Sequence, residues 1–78
     1  MKIFGYSHES QDQEEGVSIE LAEIVMEATT DEVRMIAAFL NKVADDMQSM
    51  GEDYDHEHLS DVNHYFKNSP HFVIVRSK

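Results

Sequence analysis

Apolar and polar positions follow a different rhythm in each part of this chain. Residues 2–6, Lys-Ile-Phe-Gly-Tyr, form a short apolar stretch closed by polar neighbours and predict a first strand with Ile3 and Phe4 on opposite sides. Gly5 within it marks a close backbone approach or a bulge. From Ser7 to Gly16 no apolar residue occurs, the pattern of a solvated hairpin loop. Residues 17–28 alternate in two phases, Val17, Ile19 and Leu21, then Ile24, Met26 and Ala28. That shift of phase predicts a second strand with a bulge near Ala22.

The spacing then changes from two to three and four. Val33, Ile36, Ala37, Leu40, Val43, Ala44, Met47 and Met50 keep the i, i+3, i+4, i+7 rule and predict an amphipathic helix over 30–50. Thr29 and Glu32 have the capping-box spacing at its start, and Gly51 supplies its stop. Met35, Ala38 and Phe39 widen the apolar stripe beyond one sheet contact and point to a second contact, with the 52–70 segment or with another subunit. Residues 52–70 are acidic and read as a loop or short helix, with Ser60 capping one or two turns through Phe66. After the turn Asn68-Ser69-Pro70, residues 71–76 contain the continuous run His-Phe-Val-Ile-Val and predict a last strand, central or buried on both faces.

The expected fold is α+β, a small ββαβ sandwich in one domain, 1–78. A right-handed crossover through the helix makes the second and third strands parallel, with the first strand inserted between them. The expected sheet is three-stranded and mainly antiparallel, in the order 2-1-3, with the long helix across one face. Its other face stays open, and a homodimer through that face is one alternative.

Charge narrows the functional classes. Six basic residues against sixteen acidic ones give a net charge of −10. A nucleic-acid binder gains affinity by neutralising phosphates with Lys and Arg, so a DNA or RNA reader is not expected. The same field attracts a basic protein. The chain has no cysteine, hence no disulfide framework and no thiolate chemistry. Its longest apolar run, Met35 to Leu40, falls far short of the roughly 20 residues that span a bilayer. No signal-peptide pattern opens the chain, and a cytoplasmic location is the expectation.

Candidate chemistry concentrates in residues 54–61, Tyr-Asp-His-Glu-His-Leu-Ser-Asp. In an extended segment His56 and His58 share a side and form a candidate metal pair, with His64 or Asp61 as a third ligand. The run lacks the HExxH spacing of a helical zinc site, and no cofactor is expected. There is no glycine-flanked serine nucleophile and no phosphate-binding glycine loop, so enzymatic activity is not expected either. The remaining reading is an interface. Tyr54, Asp55, His56, Glu57, His58, Asp61 and Tyr65 mix aromatic rings with carboxylates, which suits an interface core with a charged rim. Tyr6, His8 and Phe66 are further candidates for it.

Four segments, "KIFGYS", "ATTDEVRMIAAFL", "YDHEHLSD" and "SPHFVIV", together resemble the immunity protein 32 family, small acidic proteins that accompany toxins of bacterial polymorphic-toxin systems. The resemblance spans almost the whole chain. It implies an inhibitor that neutralises a cognate toxin by direct binding, and it implies no catalytic residue. His56, Glu57, His58 and Asp61 belong to the shared motif. The alternatives are a metal-binding protein using the His56/His58 region and a structural homodimer.

Overall fold

The structure is a computed structural model that describes residues 1–8 and 18–77. Most of the loop expected from Ser7 to Gly16, and Val17 of the second strand, lie outside the described residues.

Strand β1 (Ile3–Gly5) pairs antiparallel with β2 (Ile19–Leu21) in the register Ile3 to Leu21, Phe4 to Glu20 and Gly5 to Ile19. Because opposed residues share a face, Ile3, Ile19 and Leu21 lie on one side of this ribbon, and Phe4 and Glu20 on the other. At Gly5 the strands approach closely: a Cβ there would come within 2.9 Å of Leu21 Cδ1, the movable end of that side chain. The second strand was expected to run to residue 28 through a bulge. It stops at Leu21, and residues 23–29 carry no regular structure.

Helix α1 (Thr30–Met50) matches the predicted boundaries. The Thr29 hydroxyl accepts from the Glu32 N–H at 3.2 Å, and the Glu32 carboxylate accepts from the Thr29 N–H at 2.8 Å, which closes the capping box. At the other end Gly51 takes φ +57°, a left-handed conformation that side chains rarely adopt, and its N–H donates to the Met47 carbonyl. A 3-10 turn (Gly51–Asp53) leads into β3 (His56–His58). Helix α2 (Leu59–Val62) follows, then a second 3-10 turn (His64–Phe66) and β4 (Val73–Val75). The expected turns beginning at Ser60 are split in two at Asn63, whose side-chain oxygen accepts from the Tyr65 N–H at 3.0 Å and restarts the chain direction.

The predicted strand order is corrected by the pairing. Among the described residues there are two separate two-stranded antiparallel sheets, β1-β2 and β3-β4, in place of one three-stranded sheet. The last strand pairs with β3, in the register His56 to Val75, Glu57 to Ile74 and His58 to Val73, inside the stretch expected to be loop or helix. A partner some fifteen residues away closes a far shorter loop than β1 would, and loop-closure entropy favours it. Nor is β4 buried on both faces: Ile74 is half-buried, and Val73 and Val75 are exposed.

The core lies between α1 and the C-terminal third of the chain. Ile36, Phe39 and Val43 meet Tyr54, Leu59 and Phe66, with Met35, Met47, Phe72 and Ile74 packed around them. Phe39 and Phe72 meet edge to face, centroids 6.1 Å apart, the arrangement that the ring quadrupoles favour. The second contact anticipated on the helix is therefore the 52–70 segment, which covers Phe39. None of the buried core residues comes from β1 or β2.

Candidate functional site

The His-rich segment is pinned at both ends. Tyr54 and Leu59 are buried, which forces the four residues between them to cross the protein surface as β3 and its approach. Strand geometry then sorts them by side. His56 and His58 share the face of Val73 and Val75, and Glu57 points the other way.

On the histidine face three imidazoles line up. The His56 and His58 ring centroids are 5.1 Å apart and nearly perpendicular, and His58 and His71 are 6.2 Å apart. Asp55, almost fully exposed, has its Oδ2 2.6 Å from His56 Nδ1. Asp55, His56 and His58 are thus the predicted interface residues that the fold brings together.

The others are placed elsewhere. Glu57 lies 2.9 Å from the ammonium of Lys42, which also contacts Asp46 at 2.6 Å. These two carboxylates hold the Lys42 ammonium well above its usual range, and the hydrogen bond from Lys42 draws the Asp46 carboxyl down. Glu57 is therefore engaged within the chain rather than offered outward. Tyr54 is a core residue whose hydroxyl donates to the Ile74 carbonyl at 3.2 Å, and burial pushes its phenol upward. Asp61 is exposed on α2. Tyr65 is exposed on the second 3-10 turn, where its hydroxyl donates to Glu32 at 3.3 Å. The charge of Glu32 raises the Tyr65 phenol. Of the earlier further candidates, Tyr6 and His8 are exposed near β1, and Phe66 is in the core.

The candidate metal set, His56 and His58 with His64 or Asp61, is not assembled. His64 sits on the second 3-10 turn, and among the described residues no group of three or more His, Asp or Glu side chains is placed to hold an ion. Among the described residues no helix is long and apolar enough to cross a membrane.

A concentration of acidic residues lies at the end of α1. The helix dipole puts partial negative charge on its last carbonyls, where a cation is the stabilising neighbour. This helix has no basic residue in its last turn. Instead Asp45 and Asp46 precede the stop glycine, and Glu52, Asp53 and Asp55 follow it. Lys42 engages Asp46, and the guanidinium of Arg76 donates to the Met47 carbonyl while lying 6.0 Å from the Tyr54 ring centroid. Asp45, Glu52, Asp53 and Asp55 stay exposed. A shallow concavity beside them is lined by Glu52, Tyr54, Asp55, His56, Val75 and Arg76.

Sequence reasoning included Asp55 and His56 and counted Glu52 and Asp53 within the acidic run 52–61, but did not single out Asp45, His71 and Arg76. The carboxylates were findable from the helix stop alone, since acids on both sides of Gly51 oppose the dipole. His71 and Arg76 were not, because only the β3–β4 pairing brings them to this surface. No protein-family model, curated protein or solved structure matches the chain.

Proposed function

We propose that this chain is a non-enzymatic binding protein that captures a basic protein through the acidic surface at the end of α1, acting in the cytoplasm as an immunity protein that neutralises a cognate toxin. The observation that carries the reading is the set of exposed carboxylates Glu52, Asp53 and Asp55, which follow one another along the chain just past the end of α1, where the helix dipole is already negative. Carboxylates there repel one another and the helix terminus, so a Lys- or Arg-rich partner gains more at this surface than at an evenly charged one. Asp55, His56 and His58 extend the surface onto β3, where imidazole rings and the exposed Val75 supply the less polar contact that an interface centre uses. The resemblance to the immunity protein 32 family supports the same role and suggests a toxin as the partner.

The test is binding of a candidate toxin with a basic surface, followed by calorimetry or surface resonance at about 50 mM and about 300 mM salt. Affinity is expected to fall with salt, chiefly through the association rate. Binding that ignores salt, or no binding at all, contradicts the proposal.

A further inference from the structure

Two of the imidazoles on the β3–β4 hairpin have the spacing that a shared ion sets. A zinc-like cation bonds imidazole nitrogen at about 2.0–2.1 Å, so two rings on one ion have centroids about 5 Å apart. The His56 and His58 centroids are 5.1 Å apart. His58 and His71, at 6.2 Å, lie beyond that spacing. Among the described residues no three donors are gathered for an ion, so what the strand offers is a pair of rings with the other coordination positions open.

The backbone holds the pair in place. His56 and His58 are two residues apart on one strand and therefore share a side, and the residues opposite them are Val75 and Val73, which bring no polar side chain to compete for the imidazole nitrogens. Glu57, between the two, points the other way and is engaged by Lys42. Both rings can be reached from solvent: the His56 side chain is 46% exposed and His58 is half-buried.

Asp55 supplies a second, independent observation. Its Oδ2 lies 2.6 Å from His56 Nδ1. An ionised carboxylate only accepts, so the proton of the neutral ring sits on Nδ1 and the lone pair on Nε2. A carboxylate on one ring nitrogen is the arrangement that fixes the tautomer of metal-ligating histidines and raises their basicity. The net charge of −10, with Glu52 and Asp53 exposed a few residues before the pair, draws cations to this surface.

We propose that His56 and His58 form a two-ligand site for a divalent transition cation, Zn²⁺, Ni²⁺ or Cu²⁺, with Asp55 orienting His56 and water filling the remaining positions. Imidazole suits these ions, whereas Mg²⁺ and Ca²⁺ take oxygen ligands. The site shares Asp55, His56 and His58 with the surface proposed for a basic protein but requires no partner, so the chain alone tests it and either reading can fail without the other.

The test is calorimetric titration of the whole untagged chain with each of the three ions at about pH 7.5, in about 5 mM Mg²⁺ to occupy carboxylate clusters. One ion per chain is expected, Cu²⁺ the tightest, with binding lost below about pH 6 as the imidazoles take up protons. His56→Gln and His58→Gln are each expected to weaken binding about tenfold or more, Asp55→Ala several-fold, and His64→Gln and His71→Gln little. In the unaltered chain, pulsed electron paramagnetic resonance of the Cu²⁺ form is expected to show two coordinated imidazoles. Binding abolished by Mg²⁺, indifference to the loss of His56 or His58, an equal loss in either control, or fewer than two imidazoles on copper overturns the proposal.

Discussion

The hydroxyl of Tyr54 donates to the carbonyl oxygen of Ile74, 3.2 Å away, and so ties the entry of β3 to the strand that pairs with it. Tyr54 is 5% exposed and belongs to the core with Phe39, Leu59 and Phe66. Tyr54→Phe removes the hydroxyl alone and is expected to cost about 0.5–1.5 kcal/mol. Tyr54→Ala also empties the ring's place and is expected to cost about 3–5 kcal/mol, most of the stability of so small a core. Urea unfolding of both variants checks this; equal costs would place the ring outside the core.

The same phenol contributes to an alkaline limit, as the raised Tyr65 does. Burial raises the folded-state pKa of Tyr54 above its unfolded value. Its contribution is therefore fully present below about pH 10 and is lost as pH rises through the raised folded value. Stability followed from pH 8 to 12 is expected to fall over that upper range, and to fall less in Tyr54→Phe. An identical decline in both proteins would assign the alkaline loss to other groups.

The start of α1 contributes to the acid limit, as the lowered Asp46 carboxyl does. The hydrogen bond from the Thr29 backbone holds the Glu32 carboxyl below its usual range, and the Thr29 hydroxyl bond to the Glu32 N–H closes the box. A lowered folded-state pKa gives a contribution present above the unfolded value near pH 4 and lost as pH falls through the folded one. Thr29→Ala is expected to cost about 1 kcal/mol near neutral pH. Glu32→Gln is expected to flatten the acid decline in helical circular dichroism. An unchanged acid limb would sink this assignment.

The capping box and the stop at Gly51 were legible because they are local, and so was the 3.6-residue rhythm between them. β3 was illegible for a specific reason: Asp55, His56, Glu57 and His58 contain no apolar residue, so period two leaves no trace in hydropathy. Its inward-facing member is Glu57, which meets Lys42 instead of the core. The strand order fails with it, since without β3 only β1 and β2 remain for β4 to pair with. For the candidate site, spacing was enough to bring out Asp55, His56 and His58. Tyr54 and Glu57 look like interface residues by type, and only the fold shows one filling the core and the other engaged by a lysine.

Lys42 masks two carboxylates next to the acidic surface, Asp46 and Glu57. Lys42→Gln releases both and removes a positive charge. If the end of α1 recognises a basic protein, this variant is expected to bind its partner several-fold more tightly at low salt and equally at high salt. Weaker binding would mean that the Lys42 network organises the site rather than screening it.

The central claim, recognition of a basic partner at the end of α1, is tested most directly by three single charge reversals. Glu52→Lys, Asp55→Lys and Glu27→Lys change the net charge by the same amount, but Glu27 lies in the segment between β2 and α1. Association rates with the proposed basic partner, measured at about 50 mM salt, are expected to drop about tenfold or more for the first two and little for the third. Equal losses at all three positions would mean that only total charge matters and would contradict a localised site.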